Sequence, residues 1–282
     1  MMSVNNPATG PLDPQRSVGE LVAERPGRAM LFERLHIDYC CGGDQTLADA
    51  CASTDTQLET VLAALQALDE AQEHTGNGDP TDWRGVDTAQ LCEHITDAHH
   101  EFLRRAFPRL ESLIGTVVRV HGPQDSALLD VQREFTTIRA ALEPHLTSEE
   151  VELFPAIIAA EQGGPPVPEE IIAGHEYEHG QAGSSLAELR SLCRDYDLRF
   201  ARCNTHRSML EALEELELDL HQHVHEENNI LFPRARGASR HPPGGHASRD
   251  DDLPHHGEQA LPACCRGWVA GQGHRWASAH HT

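Results

Sequence analysis

The sequence predicts an all-α protein, a small helical N-terminal domain followed by an antiparallel four-helix bundle. Three observations lead there. Aromatic residues make up only 5% of the chain while hydrophobic residues reach 39%, so the apolar content rests on Leu, Ala, Val and Ile and favours helices over sheets. Four long segments carry apolar residues at spacings of three and four. Turn-forming runs such as HGPQD at 121–125 and QGGPPVP at 162–168 separate them, as a bundle with short loops requires.

Residues 1–16 read as a disordered lead, and the opening MMSVNNPATGPLD lacks the basic-then-apolar pattern of an export signal. Residues 17–74 form a small helical domain. Ser17 with Glu20 resembles a capping box, and Val18, Leu21 and Val22 give the helix it opens an apolar face. Ala29, Phe32 and Leu35 form the next apolar set, DYCCGG at 38–43 is a turn, and Leu58, Val61, Leu62, Leu65 and Leu68 mark a last amphipathic helix. Residues 75–90 are rich in turn formers and read as a linker.

Residues 91–236 carry the bundle, whose first helix is expected to open at about Thr88 and run to Val120, with His100, Leu103, Phe107, Leu110, Ile114 and Val117 on one stripe. The second, about 125–160, aligns Val131, Phe135, Ile138, Leu142, His145, Glu149 and Leu153. The third, about 168–194, aligns Ile172, His175, His179, Leu186, Leu189 and Cys193. The fourth, about 205–235, aligns Leu213, Leu216, Leu220, His223, Glu227 and Leu231. Pro144 sits inside the second helix and should kink it next to His145, and Pro108 raises the same question in the first. Residues 237–282 are turn-rich and aperiodic and read as a disordered, His-rich tail holding seven His together with Cys264 and Cys265.

A formal charge of −23 argues against nucleic acid or an anionic membrane as partner. No stretch of about 18 apolar residues spans a bilayer, and the expected location is the cytoplasm. The 8 Cys contain no CxxC pair and are expected to be reduced thiols. Cys51, Cys92, Cys193 and Cys203 are expected to be buried or incidental.

The chemistry lies in a phrase that occurs twice. His145-x-x-x-Glu149-x-x-x-Leu153-Phe154-Pro155 recurs as His223-x-x-x-Glu227-x-x-x-Leu231-Phe232-Pro233. A His and a Glu four apart share one helix face, and a charged Glu on a core face is costly unless it is paired or coordinates a metal. Each of the four stripes is interrupted by His, so two carboxylates and several imidazoles converge. A closed zinc site needs only four ligands. Mixed imidazole and carboxylate ligation points to iron, with manganese or zinc behind it.

The doubled phrase, with one His on each of the other two helices, resembles the hemerythrin-like family. DYCCGG and the run Glu227-Asn228-Asn229-Ile230-Leu231-Phe232-Pro233-Arg234 resemble the di-iron iron–sulfur cluster repair proteins, the repair of iron centres family, over roughly 17–236. The resemblance implies two non-haem iron ions, with His100, His145, His179 and His223 as terminal ligands and Glu149 and Glu227 as bridges beside an oxo or hydroxo group. His99, Glu150, His175 and Glu226 compete as neighbours, and His221 and His225 are expected to flank the site or face solvent. The adjacent Cys40 and Cys41 form a disulfide only with strain, and the resemblance makes them thiols for redox work or iron transfer, left accessible by Gly42 and Gly43. The function implied is repair of iron–sulfur clusters after nitrosative or oxidative damage, by iron donation or removal of nitric oxide. The implied partners are damaged iron–sulfur proteins, and a homodimer is left open. Two alternatives stand beside it: a di-iron nitric oxide reductase, and a non-catalytic protein that binds or senses dioxygen or iron.

Overall fold

A computed structural model describes residues 12–75 and 82–238 of the chain. Among these residues the secondary structure is helical, without a sheet; one isolated bridge pairs Ser17 with Thr46. Four short helices come first: α1 (Val18–Glu24), α2 (Ala29–Arg34), α3 (Leu47–Ser53) and α4 (Leu58–Thr75). Ser17 caps α1 by accepting from the Glu20 N–H at 3.2 Å, as its capping signal predicts. Helix α3 lies in a stretch the apolar pattern left blank. Thr46 caps it in the same way, accepting from the Asp49 N–H at 3.1 Å. Val18, Leu21, Phe32, Tyr39, Leu47, Val61 and Leu65 make the core of this unit. The buried Arg28 grips Asp69 on α4 with two hydrogen bonds of 3.1 and 2.6 Å.

The bundle follows as α5 (88–121), α6 (127–161), α7 (Glu169–Leu192) and α8 (204–238). The site residues lie early in α5 and α7 and late in α6 and α8. An up-down-up-down course therefore brings them to one level. Two separate apolar clusters fill the bundle. The larger, with Leu103, Phe107, Phe135, Leu142, Leu213 and Leu220, lies on one side of that level. The smaller, with Leu91, Ile95, Leu153, Phe154, Ile172, Leu231 and Phe232, lies on the other.

Three of the four long helices change register at this level. Residues Ile95–His100 of α5, Glu149–Leu153 of α6 and Glu227–Leu231 of α8 are π turns. There the N–H groups of Glu101, Phe154 and Phe232 reach back five residues, to the carbonyls of Thr96, Glu149 and Glu227. The irregularity expected at Pro144 is found five positions later. Helix α6 runs through Pro144 and α5 through Pro108 without interruption. Pro155 and Pro233, which close the repeated phrase, lack an N–H and follow directly on π turns, where the ladder is already shifted.

Three expectations need correction. Residues 12–16, counted with the disordered lead, are tied down: the carbonyls of Pro14 and Arg16 accept from Ala48 and Leu47, and Arg16 pairs with Glu24 at 2.7 Å. The last part of the expected linker is also built in. Trp83 stacks on His94 at 4.0 Å, Arg234 donates to the carbonyls of Val86 and Trp83, and α5 opens at Thr88. Cys203, expected to be buried or incidental, is exposed and caps α8, its sulfur accepting from the His206 N–H at 3.4 Å. The His-rich tail with Cys264 and Cys265 lies outside the described residues. No helix among the described residues is long and apolar enough to cross a membrane.

Candidate metal centre

His100, His145, Glu149, His179, His223 and Glu227 meet in the middle of the bundle, each buried. Their ligating atoms fall into two quartets, His100–Glu149–His223–Glu227 and His145–Glu149–His179–Glu227, so both carboxylates belong to both groups. Each quartet contains an imidazole pair in direct contact: His100 Nε2 to His223 Nε2 at 3.1 Å, and His145 Nε2 to His179 Nε2 at 3.0 Å. Glu149 lies 3.0 Å from His145 and 3.5 Å from His100, and Glu227 lies 3.2 Å from both His179 and His223.

These groups do not satisfy one another. All four carboxylate oxygens are buried without a hydrogen bond of acceptable geometry, a costly state in a protein interior. Two Nε2 atoms facing each other at 3 Å cannot both donate. Cations between them would use the carboxylate oxygens and imidazole lone pairs together, and imidazole with carboxylate is a donor set suited to iron. The residues present therefore fit metal ions.

A second layer of residues fixes which imidazole nitrogen faces inward. Nδ1 of His100 bonds Glu150 at 2.7 Å, and Arg104 holds Glu150 from the far side at 2.7 Å. Nδ1 of His145 bonds Glu178 at 2.7 Å, and Nδ1 of His179 bonds Asn228 Oδ1 at 2.8 Å. The competing neighbours thus have places of their own. Glu150 orients His100. His175 lies 3.4 Å from Glu149 beside the His145 ring. His99 stacks on His223 at 5.6 Å and bonds Asp219 at 2.9 Å.

Electrostatics prepares the donors. Burial alone would raise the Glu149 carboxyl, but the close imidazoles of His145, His175 and His179 hold it well below the ordinary carboxylate range. Glu227 is likewise held down, to about 2, against burial and the Glu149 charge, by His223 and His179. Burial and the nearby His223 lower His100, while Glu149 and Glu178 overcome burial at His145 and push it up to about 9.

The N-terminal unit closes over the His179 side of this centre. Asn228 Nδ2 donates to the Cys40 carbonyl at 3.4 Å, and Asn229 Nδ2 to the same carbonyl at 3.0 Å. Asn228 thus touches a candidate ligand with one end of its amide and the thiol turn with the other. In the sequence both Asn are only part of a resembling run, and nothing in the apolar spacing assigns either a role. Cys41 is exposed, and its sulfur lies 3.6 Å from the His179 carbonyl; Cys40 is buried, 3.9 Å from Cys41. The expectation that Gly42 and Gly43 leave both thiols accessible therefore holds for Cys41 alone. Gly43 is needed for another reason, since a Cβ there would strike the Asn229 amide. His221 and His225 do not face solvent. His221 bonds Glu33 of α2 at 2.8 Å, and His225 lies 3.3 Å from the Tyr39 carbonyl under the Tyr39 ring. Asp38, Tyr39, Cys40, Cys41, Gly183 and His221 are among the residues lining a cleft of about 490 Å³ between the two units.

Residues 93–235 match the hemerythrin family, described as a Hemerythrin HHE cation binding domain. Residues 14–69 match the ScdA_N family, described as a Domain of Unknown function (DUF542). The chain is 33% identical over 220 residues to the iron-sulfur cluster repair protein YtfE of Pectobacterium carotovorum, an overlap of 78% of this chain and 96% of that relative. It is also 33% identical over 221 residues to YtfE of Escherichia coli O17:K52:H18, covering 77% of this chain and 95% of that one.

Proposed function

Because this chain belongs to the iron–sulfur cluster repair family of hemerythrin-like proteins, we propose that it restores damaged iron–sulfur clusters in cytoplasmic client proteins from a two-iron centre. One observation carries the two-iron reading: both buried carboxylates belong to both ligand quartets. A single closed ion needs about four ligands, whereas six donors around two shared carboxylates suit a pair. His100 and His223 would hold one iron and His145 and His179 the other, with Glu149 and Glu227 available to both. When bound, such a pair supplies redox-active positions for a small ligand such as nitric oxide or dioxygen.

The chain's own residues do the rest. Glu150, Glu178 and Asn228 take the outer Nδ1 atoms of His100, His145 and His179, which leaves the inward Nε2 atoms to face the metal. The two apolar clusters keep water from either end of the centre. The thiol pair lines the cleft next to the His179 backbone, and iron given to a client, or a ligand taken from one, would leave or enter on that side.

The test is anaerobic. Iron-loaded, reduced protein is mixed with a nitric-oxide-damaged or apo iron–sulfur protein, and cluster absorbance is followed together with iron lost from the donor. Cluster recovery is expected with the natural chain. It should be slowed at unchanged starting iron content when Cys40→Ala and Cys41→Ala are combined. No recovery, with iron retained, sinks the repair reading, and multiple turnovers of nitric oxide to nitrous oxide would replace it with a reductase.

A further inference from the structure

Beside the buried centre lies a second convergence of donors that it does not use. His94 Nε2 is 3.3 Å and His99 Nε2 3.6 Å from Glu226 Oε2, and the three atoms lie within 4.8 Å of one another. His99 is only 5% exposed, and its Nε2 has no hydrogen-bond partner. Glu226 Oε2 and Asp219 Oδ2 are also buried and unpartnered. Asp219 Oδ1 takes the other ring nitrogen of His99 at 2.9 Å, which turns the Nε2 lone pair toward Glu226.

The backbone explains why the two His meet. Five residues apart, they would point to different sides of an α-helix. The π turn at Ile95–His100 closes bonds over five residues, so residues five apart stack there as residues four apart do elsewhere. The same turn that sends His100 into the bundle aligns His94 with His99.

We propose that His94, His99 and Glu226 form a third, mononuclear metal site for one divalent cation. Two imidazoles and one carboxylate with positions left open is the donor set of non-haem iron(II). The site sits against the buried centre, since the His99 ring stacks on that of His223, and it is nearer the surface, since the His94 side chain is 28% exposed. An ion-pair network, with a charged His99 bridging Asp219 and Glu226, is the rival arrangement. It sets His94 and His99 3.3 and 3.6 Å from Glu226 but leaves the buried His99 Nε2 and Glu226 Oε2 without a hydrogen bond.

Trp83, stacked on His94 at 4.0 Å, reports on the site. In iron-loaded full-length protein carrying Trp268→Phe and Trp276→Phe, it is the sole tryptophan of the original 3. Titration with cobalt(II), which is paramagnetic, should quench it saturably at one equivalent. His94→Ala, and separately Glu226→Gln, should weaken that binding on the order of 100-fold, while iron measured before cobalt is added stays at the natural level in His94→Ala. Absence of saturable quenching, or quenching unchanged in both variants, overturns the site. A fault in the two-iron reading would appear in the starting iron content, and a fault here in the cobalt titration.

Discussion

Cys40 and Cys41 are neighbours in sequence and unequal in chemistry. The hydrogen bond from Cys40 to Cys41 holds the Cys41 thiol below its ordinary value, against burial and the Asp38 charge. The same bond, with burial and Asp38, pushes Cys40 well above its own. The thiolate is the reactive form, and Cys41 is also the exposed member. Brief treatment with iodoacetamide near pH 7 should therefore label Cys41 first, with peptide mass mapping as the readout. Equal labelling of both would contradict the asymmetry. The letters DYCCGG do not say which thiol is which, because the difference lies in the folded turn, which buries Cys40 with its sulfur 3.3 Å from Asp38 Oδ1 and 3.9 Å from the Cys41 sulfur.

At the scale of helices, the docking of α1 is set by glycine. A Cβ on Gly19 would collide with the Asn229 amide and come within 2.9 Å of the Gly43 carbonyl. Asn229 cannot easily yield, since it donates to the Cys40 carbonyl at 3.0 Å. Gly19→Ala should cost about 1–3 kcal/mol by overpacking, read as a lower melting temperature and faster proteolysis within α1–α4. Gly115→Ala is the control, because no atom lies within 4 Å of its added Cβ. It should be neutral or gain up to about 1 kcal/mol of helix propensity.

The helices themselves were legible from spacing. Each of the four long stripes became a helix with ends within a few residues of expectation, because apolar period and burial agree along most of their length. The π turns were not. One extra residue in one turn is too small a change to disturb a stripe, yet it decides that His94 lies over His99. The sequence does not say which outer face of α8 receives another unit, so it leaves His221 and His225 to flank the site or face solvent. Both instead meet the N-terminal unit.

For the molecule as a whole, the centre is a strain that metal relieves. Without cations the bundle buries two carboxylates and close imidazole pairs, so folded protein should bind iron and unfolded chain should not. Stability then rises with ligand by mass action, about 4 kcal/mol at a thousandfold excess over Kd. Iron removal should lower the melting temperature, and the gap should depend on pH. His145 is pushed up to about 9, as is His99 through Asp219 and Glu226, both against burial. A raised His contributes stability to the metal-free fold that is complete below its unfolded value of about 6.5 and lost as pH rises through about 9. Iron also binds better once His145 has lost its proton. The difference in melting temperature between iron-loaded and iron-free protein should therefore widen from pH 6.5 to 9. A constant gap across that window would show that His145 is neutral without metal.

The Asn228 amide makes the two halves of the chain thermodynamically answerable to each other. Its Oδ1 meets His179 at 2.8 Å while its Nδ2 reaches the Cys40 carbonyl at 3.4 Å. If a client docking in the cleft, or a change at Cys41, lifted the thiol turn, a support of a candidate ligand would be removed and the hold on iron would loosen. Linkage makes this reciprocal: by whatever factor client binding would weaken iron affinity, bound iron would weaken client binding. A donor built in this way would hold its client more tightly once spent, and reloading with iron would release it.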